Sequence, residues 1–422
     1  MKKLIIPYGQ TQIEFNLQNR LFDILKPKLP DNFNKNQKVI VNYALNNPIN
    51  GKVPNISPKK NIGIGINDIT RPIPHNILLP ALLTFLEDKG ACAKNIVFYI
   101  ATGTHLPADK NQIRQIVGNE IAENYKILSH NCDNAHNLIK IGKTTRNTPV
   151  FVNKAYYFSD VKIVVGNIEP HHFMGFSGGY KTASIGLTSH ETITANHALL
   201  SHSLSKMGLY TSNPMRKEVE EIGKMISVDF ALNAIISPDK NVIACYWGSP
   251  EDVIVKGINY IRENIQLDVG NILNQYDLVI ASPGGYPKDI NFYQSQKALT
   301  HASLFAKPGA KIILVAECIE SFGSEKFYQF ISSRSTADDV IHDFESQDFE
   351  IGPHKAYQLA KQIKTYNIDL VSSMSKDEVL KLKLNYQDNL QNAINDVLIS
   401  LPKDAGILVL PYATQTMPRI VE

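Results

Sequence analysis

The chain has 422 residues, 43% of them hydrophobic and 20% charged, with a formal net charge of +3. That length favours two domains over one core, and the composition is that of a folded globular protein without disorder. So small a positive excess argues against nucleic acid as a partner, which calls for clustered lysine and arginine.

The first residues, MKKLIIPYGQ, open with two lysines and an apolar stretch in the manner of a secretory signal. Pro7 and Gln10 end that stretch too early for one. No apolar run approaches the roughly 20 residues that span a bilayer. Cys92, Cys132, Cys245 and Cys318 stand far apart without a CxxC pair. The expectation is therefore small buried thiols in a reducing cytoplasm, with neither a disulfide framework nor structural zinc.

Along the chain, NIGIGIND (61–68) reads as a strand followed by the helix HNILLPALLTFLEDKG, with Asp68 or Thr70 as its cap and Pro72 in its first turn. NIVFYIATG (95–103) is a strand before a polar helix that runs to about Glu123. DVKIVVGNIE (160–169) is a third strand, leading into EPHHFMGFSGGYK. ETITANHALLSHSL reads as a helix capped by Ser189, FALNAIISP and NVIACYWG as a pair of strands, and SPEDVIVKGINYIRENI as a helix capped by Ser249. After QLDVGNILNQ (266–275) the alternation resumes with YDLVIASPGGYP, AKIILVAEC, NIDLVSSMS and AGILVLPY. Between them lie the helices NFYQSQKALTHASLFA and GPHKAYQLAKQIKT. The pattern predicts two α/β domains with mainly parallel sheets and an active-site cleft between them. Residues 1–266 form an N-terminal cofactor-binding domain, and 267–422 a C-terminal domain that closes over the site.

Ligands of open α/β sheets bind beyond the carboxyl ends of the strands, which selects four loops. NDITRP offers Asp68 and Arg71, the latter suited to gripping a carboxylate or phosphate. ATGTHLP offers His105, a residue type that in such a loop is either a surface group or an acid–base catalyst. The third loop carries His171, His172, three glycines and Lys181. Gly175 to Lys181 is one residue too long for a P-loop, although Lys181-Thr182 resembles its end and the glycines leave backbone amides room to approach a phosphate. A lysine bound covalently to a cofactor is the other reading. Adjacent His171 and His172 are expected to point their rings in different directions, which leaves His172 a supporting role. His197 on its helix is structural by itself, and His190 and His202 stay so. In PGGYPKDINFYQSQKA, Gln294 and Lys297 share a face near a helix start, where an anion is attracted.

Taken in order, NDITRP, ATGTHLP, EPHHFMGFSGGYK, ANHA and GGYPKDINFYQSQKA make the chain resemble the nickel-dependent lactate racemase family over almost its whole length. The resemblance implies nickel in a nickel-pincer nucleotide, Ni(II)-pyridinium-3,5-bisthiocarboxylate mononucleotide, covalently attached to Lys181. It implies His197 as the metal's protein ligand and His105 and His171 as the acid–base pair. Cofactor contacts fall on Asp68, Ile69, Thr70, Arg71, Lys181, His197, Gln294 and Lys297, and substrate contacts on Arg71, Tyr293, Lys297 and His354. Enzymes that mature the cofactor are the implied protein partners, and a small 2-hydroxy acid is the substrate. Hydride removal suits such an acid, because the planar keto acid takes hydride back on either face, with one histidine base per enantiomer. Where the lactate enzyme would carry a tryptophan, FEIGPHKAY places His354, and the only tryptophan is Trp247 in the first domain. An imidazole there suits a larger or more polar side chain, so malate, an aromatic acid or a sugar acid is the alternative substrate. A phosphate- or nucleotide-binding transferase is the alternative activity.

Overall fold

The computed structural model describes residues 3–28, 36–71, 73–265, 267, 272–347, 349–416 and 418. Pro72 and most of the 266–271 connection lie outside the described residues. The chain forms two compact units, one spanning Leu29–Ile265 and the other Met1–Lys28 with Gln266–Arg419. Each contains a six-stranded sheet.

In the first unit the strands run in the order Val242–Gly248, Phe230–Ile236, Val161–Asn167, Ile62–Asn67, Ile96–Ala101, Lys126–Ser129. Only the Phe230–Val242 pair is antiparallel. Alternation sorts the side chains between two faces. Ile62, Ile64, Ile66, Phe98, Ile163, Val165 and Leu232 bury themselves under the helices Gln37–Asn46 and His75–Asp88. The opposite face carries Gly63, Gly65 and Gly166, and these openings admit other chain segments. A Cβ on Gly166 would lie 2.7 Å from Asn67 Oδ1 and 3.3 Å from Thr182 Oγ1. The absence of that methyl lets the short helix Lys181–Ser184 settle against the sheet. The polar helix expected to reach Glu123 breaks in two at Gly118, whose φ is 84°.

In the second unit the order is Asn385–Gln387, Asn367–Val371, Ala306–Val315, Tyr276–Ala281, Ile407–Leu410, Asp23–Ile24, all parallel. Val279, Ala281, Ile312 and Leu314 face one core, with helix residues such as Leu299, Phe327 and Leu359. Leu278, Ile280, Ile313 and Val315 face another, covered by Ile6, Phe15, Ile394 and Leu398. Residues 1–28, placed with the first domain by chain order, pack here instead. Leu4–Tyr8 and Thr11–Phe15 form a hairpin, and its Gly9 N–H donates to the buried Asp289 carboxylate at 2.7 Å. Ser282 Oγ donates to Pro7 O at 2.8 Å, and the strand Asp23–Ile24 joins the sheet beside Ile407–Leu410. Cys132, Cys245 and Cys318 are buried, Cys92 is half-buried, and all four are free thiols. Among the described residues, no helix is long and apolar enough to cross a membrane.

Candidate active site

The first unit brings NDITRP, ATGTHLP and the glycine loop to the carboxyl ends of neighbouring strands. Asp68 follows Asn67, the last residue of its strand, and a turn closes from Arg71 N–H to Asp68 O at 3.2 Å. Asp68 caps no helix. The following helix starts at His75 behind Pro74, without a side-chain cap. The Asp68 carboxylate is instead engaged by the His105 Nδ1, 2.5 Å from Oδ2, and by the Thr70 hydroxyl, 2.8 Å from Oδ1. Burial alone would raise its pKa, but the His105 charge and hydrogen bond, then Arg71 and Thr70, outweigh that and bring it down to about 2. His105 itself follows Ala101, the last residue of the neighbouring strand, and its backbone N–H donates to Thr102 O.

The glycine loop is a folded object. Pro170–His171 pairs with Gly175–Phe176 in a two-residue ladder, and Ser177 N–H donates to Glu169 O at 2.9 Å. Gly175, Gly178 and Gly179 all adopt positive φ. A Cβ at Gly175 would lie 1.7 Å from Leu209 O, at Gly178 2.6 Å from Ile168 Cγ1, and at Gly179 2.9 Å from Arg216 Nη2. The space a Cβ would take at these glycines is filled by the protein itself, so no other residue fits there without a shift. Fully buried Arg216 donates to Phe176 O and Gly178 O at 3.1 and 3.0 Å, and Gly179 N–H donates to Asn233 Oδ1 at 2.7 Å. Asn213 Nδ2 donates to Phe173 O at 2.8 Å. None of these three supports stood out in the sequence. Arg216 sits in a stretch that reads as an ordinary amphipathic helix, and only Asn213-Pro214 carries a capping signal.

That frame delivers Lys181 at the start of a four-residue helix. Desolvation lowers its pKa most, the positive charges of Arg71 and Arg216 lower it further, and Glu169 and Asp68 oppose them; the result is about 7. The amine is therefore available as an uncharged nucleophile near neutrality. His197 lies on the helix His190–Ala198, capped by Ser189, whose side chain accepts from Thr192 N–H. Burial and the Lys181 charge bring the His197 ring down to about 4, so it is neutral at physiological pH. Its Nδ1 lies 2.9 Å from Ile193 O, an acceptor, so the ring proton sits there and Nε2 keeps its lone pair. Phe173 packs edge-on against this ring.

His171 Nδ1 accepts from Met174 N–H at 3.3 Å, which puts the proton of the neutral ring on Nε2. Contrary to the expectation of diverging rings, His171 and His172 stack at 4.5 Å with 20° between their planes. The tight Pro170–Phe176 hairpin forces that arrangement, and His172 is buried while His171 is half-buried. Ile69, Thr70 and Arg71 are half-buried on the NDITRP turn.

In the second unit, the helix expected over NFYQSQKA is two short ones, Phe292–Ser295 and Lys297–Ala302. Lys297 Nζ donates to Gln294 Oε1 at 2.6 Å, so these two act as one polar group. Tyr293 meets His354 edge to face at 6.4 Å, and Lys355 Nζ lies 5.5 Å over the Tyr293 ring. Buried His354 accepts Gly352 N–H at Nδ1, which leaves its Nε2 as a donor in the neutral ring.

His197 fits a metal-ligand role, with a neutral ring and an Nδ1–H anchored on Ile193 O, which leaves the ring's lone pair on Nε2. Lys181 fits covalent attachment to a bound group. Among the described residues no cluster of three or more His, Cys, Asp and Glu is placed to hold a metal ion, so a metal on His197 would take its other donors from a bound group.

Residues 8–208 match the lactate racemase N-terminal domain and residues 273–416 the lactate racemase C-terminal domain. A lactate racemase of Thermoanaerobacterium thermosaccharolyticum is 30% identical over 99% of this chain and 100% of its own. One from Lactiplantibacillus plantarum is 32% identical over 68% of each. The lactate racemase apoprotein structure from T. thermosaccharolyticum superposes with a TM-score of 0.89 at 28% identity, covering 99% of this chain and 100% of that one. A Thermotoga maritima crystal structure shares the fold, with a TM-score of 0.69 at 18% identity over 89% of this chain and 96% of its own.

Proposed function

Because the chain belongs to the lactate racemase family, and is thereby an isomerase, we propose that it racemises or epimerises 2-hydroxy acids with a nickel-pincer nucleotide tethered to Lys181. The observation that carries this reading is that the glycine loop's Lys181, whose burial lowers its pKa to about 7, acts electrostatically on a neutral His197 whose Nδ1–H is anchored on Ile193 O. When bound, that group supplies a nickel-centred acceptor and donor of hydride. His197 would ligate the nickel through Nε2, with the Asp68–Arg71 turn, Gln294 and Lys297 as further contacts to the nucleotide. The family resemblance makes Arg71 a substrate contact in the one unit, suited to a carboxylate, and Lys297 and Tyr293 substrate contacts in the other. His105 and His171 exchange the hydroxyl proton, one for each enantiomer, His105 through Nε2. Family membership displaces the transferase alternative.

The substrate's side chain is read at His354. A buried imidazole is a polar group where a purely apolar wall would suit a methyl group, and this favours a larger or polar 2-hydroxy acid beside lactate. The experiment is chiral chromatography of single-enantiomer lactate, malate, aromatic and sugar acids with nickel-loaded enzyme. At least one should approach an equal mixture, and His105→Gln and His171→Gln should each lower its rate by about 100-fold or more. A full rate in either variant rejects that histidine's role.

A further inference from the structure

The Asp68–His105 contact, at 2.5 Å, joins groups of unequal burial. Asp68 sits at the end of a buried strand with its side chain 9% exposed, whereas the His105 side chain is 32% exposed on a loop whose next residue, Leu106, is 89% exposed. The carboxylate therefore is the fixed partner and the imidazole the one being held. Both Asp68 oxygens are engaged, one by His105 and the other by the Thr70 hydroxyl. Building on the reaction proposed above, we infer that Asp68 is a positioning residue: its carboxylate holds the His105 Nδ1–H, fixes that tautomer, and leaves Nε2 as the one nitrogen through which His105 takes the substrate's hydroxyl proton.

An acceptor-only carboxylate at 2.5 Å requires a proton on Nδ1 in both charge states of the ring. Without it, a half-exposed imidazole is free to carry its proton on Nε2 and to turn. In the step itself the substrate O–H bond breaks and an Nε2–H bond forms, while Nδ1–H stays on the ring. The imidazolium so produced faces a carboxylate that stays ionised, so no net charge is left on the pair. Arg71 and His75 also act on Asp68 from the same turn and the helix behind it, and Lys181 from the glycine loop. This gives Asp68 a duty distinct from contact with the cofactor. His171 is held differently, by Met174 N–H at Nδ1.

The test has two arms. In the first, apo-protein with [15N]-labelled histidine is examined by two-bond 1H–15N correlation above the histidine pKa range, with His105 identified from His105→Gln. The wild-type ring should show the Nδ1–H tautomer and Asp68→Asn the Nε2–H tautomer; Nε2–H in the wild type, or the same pattern in both, overturns the inference. In the second, matured Asp68→Asn should lose about 100-fold to 10,000-fold in kcat per nickel bound, with KM unchanged. Asp68→Glu should recover part of that loss. A fall in kcat that only tracks lost nickel or lysine adduct, with a full rate per nickel bound, would leave Asp68 a cofactor contact alone and contradict the inference. If the wild type itself takes up neither nickel nor adduct, the proposed reaction fails while the first arm still decides the tautomer.

Discussion

Lys181 should be far more reactive near neutrality than an ordinary surface lysine. Its pKa moves from 10.5 to about 7, with desolvation first among the causes and Arg71 next. At pH 7 about half of this amine is uncharged, against roughly 0.03% of an ordinary lysine, a gain on the order of 1,000-fold in reactive form. The depressed value also means that between about 7 and 10.5 the unfolded chain holds a proton that the folded chain does not. The contribution of this group to stability therefore rises with pH across that window. Trace acylation between about pH 5 and pH 10, quantified at each lysine by peptide mass spectrometry, reads the titration directly. Labelling at Lys181 should be half-maximal near pH 7, and Arg71→Met should move that midpoint upward. A midpoint shared with the surface lysines, in wild type and variant alike, would refute the account of how this amine is kept uncharged.

Three further outcomes follow from the same geometry. Gly175→Ala sets a Cβ against Leu209 O at positive φ and should cost more than about 2 kcal/mol; a melting temperature lowered by less than about one degree in calorimetry would count against it. Arg216→Met removes the donors to Phe176 O and Gly178 O and leaves the Glu220 carboxylate without its guanidinium. Denaturant unfolding should show a loss of about 3–5 kcal/mol, and a neutral result would mean the loop holds itself. His354→Trp should raise kcat/KM for lactate relative to the larger acids by about 10-fold or more, and an unchanged ratio would remove His354 from the substrate's side chain.

The strands on either side of the site were legible because each is a short β-branched run ending in a polar loop. NIGIGIND and NIVFYIATG became Ile62–Asn67 and Ile96–Ala101 with little adjustment. Asp68 was legible as a loop residue but not in its task. Asp-x-Thr before a helix is also a capping pattern, and only the three-dimensional fold places His105, 37 residues later, against it. Arg216 and Asn233 were invisible for the same reason, since a buried arginine or asparagine has the same letter as an exposed one and its partners are backbone atoms far along the chain. The N-terminal hairpin went to the wrong domain because local pattern gives strands without their sheet. The stacking of His171 on His172 follows from a two-residue ladder too short to leave a periodic signal.

The most direct measurement is intact and peptide mass spectrometry, with metal analysis, of the protein produced together with the enzymes that build the cofactor. The account predicts an added mass located on Lys181 and stoichiometric nickel, with the adduct absent from Lys181→Arg and the nickel depleted in His197→Ala. Active, fully matured protein carrying an unmodified Lys181 and no nickel would contradict it.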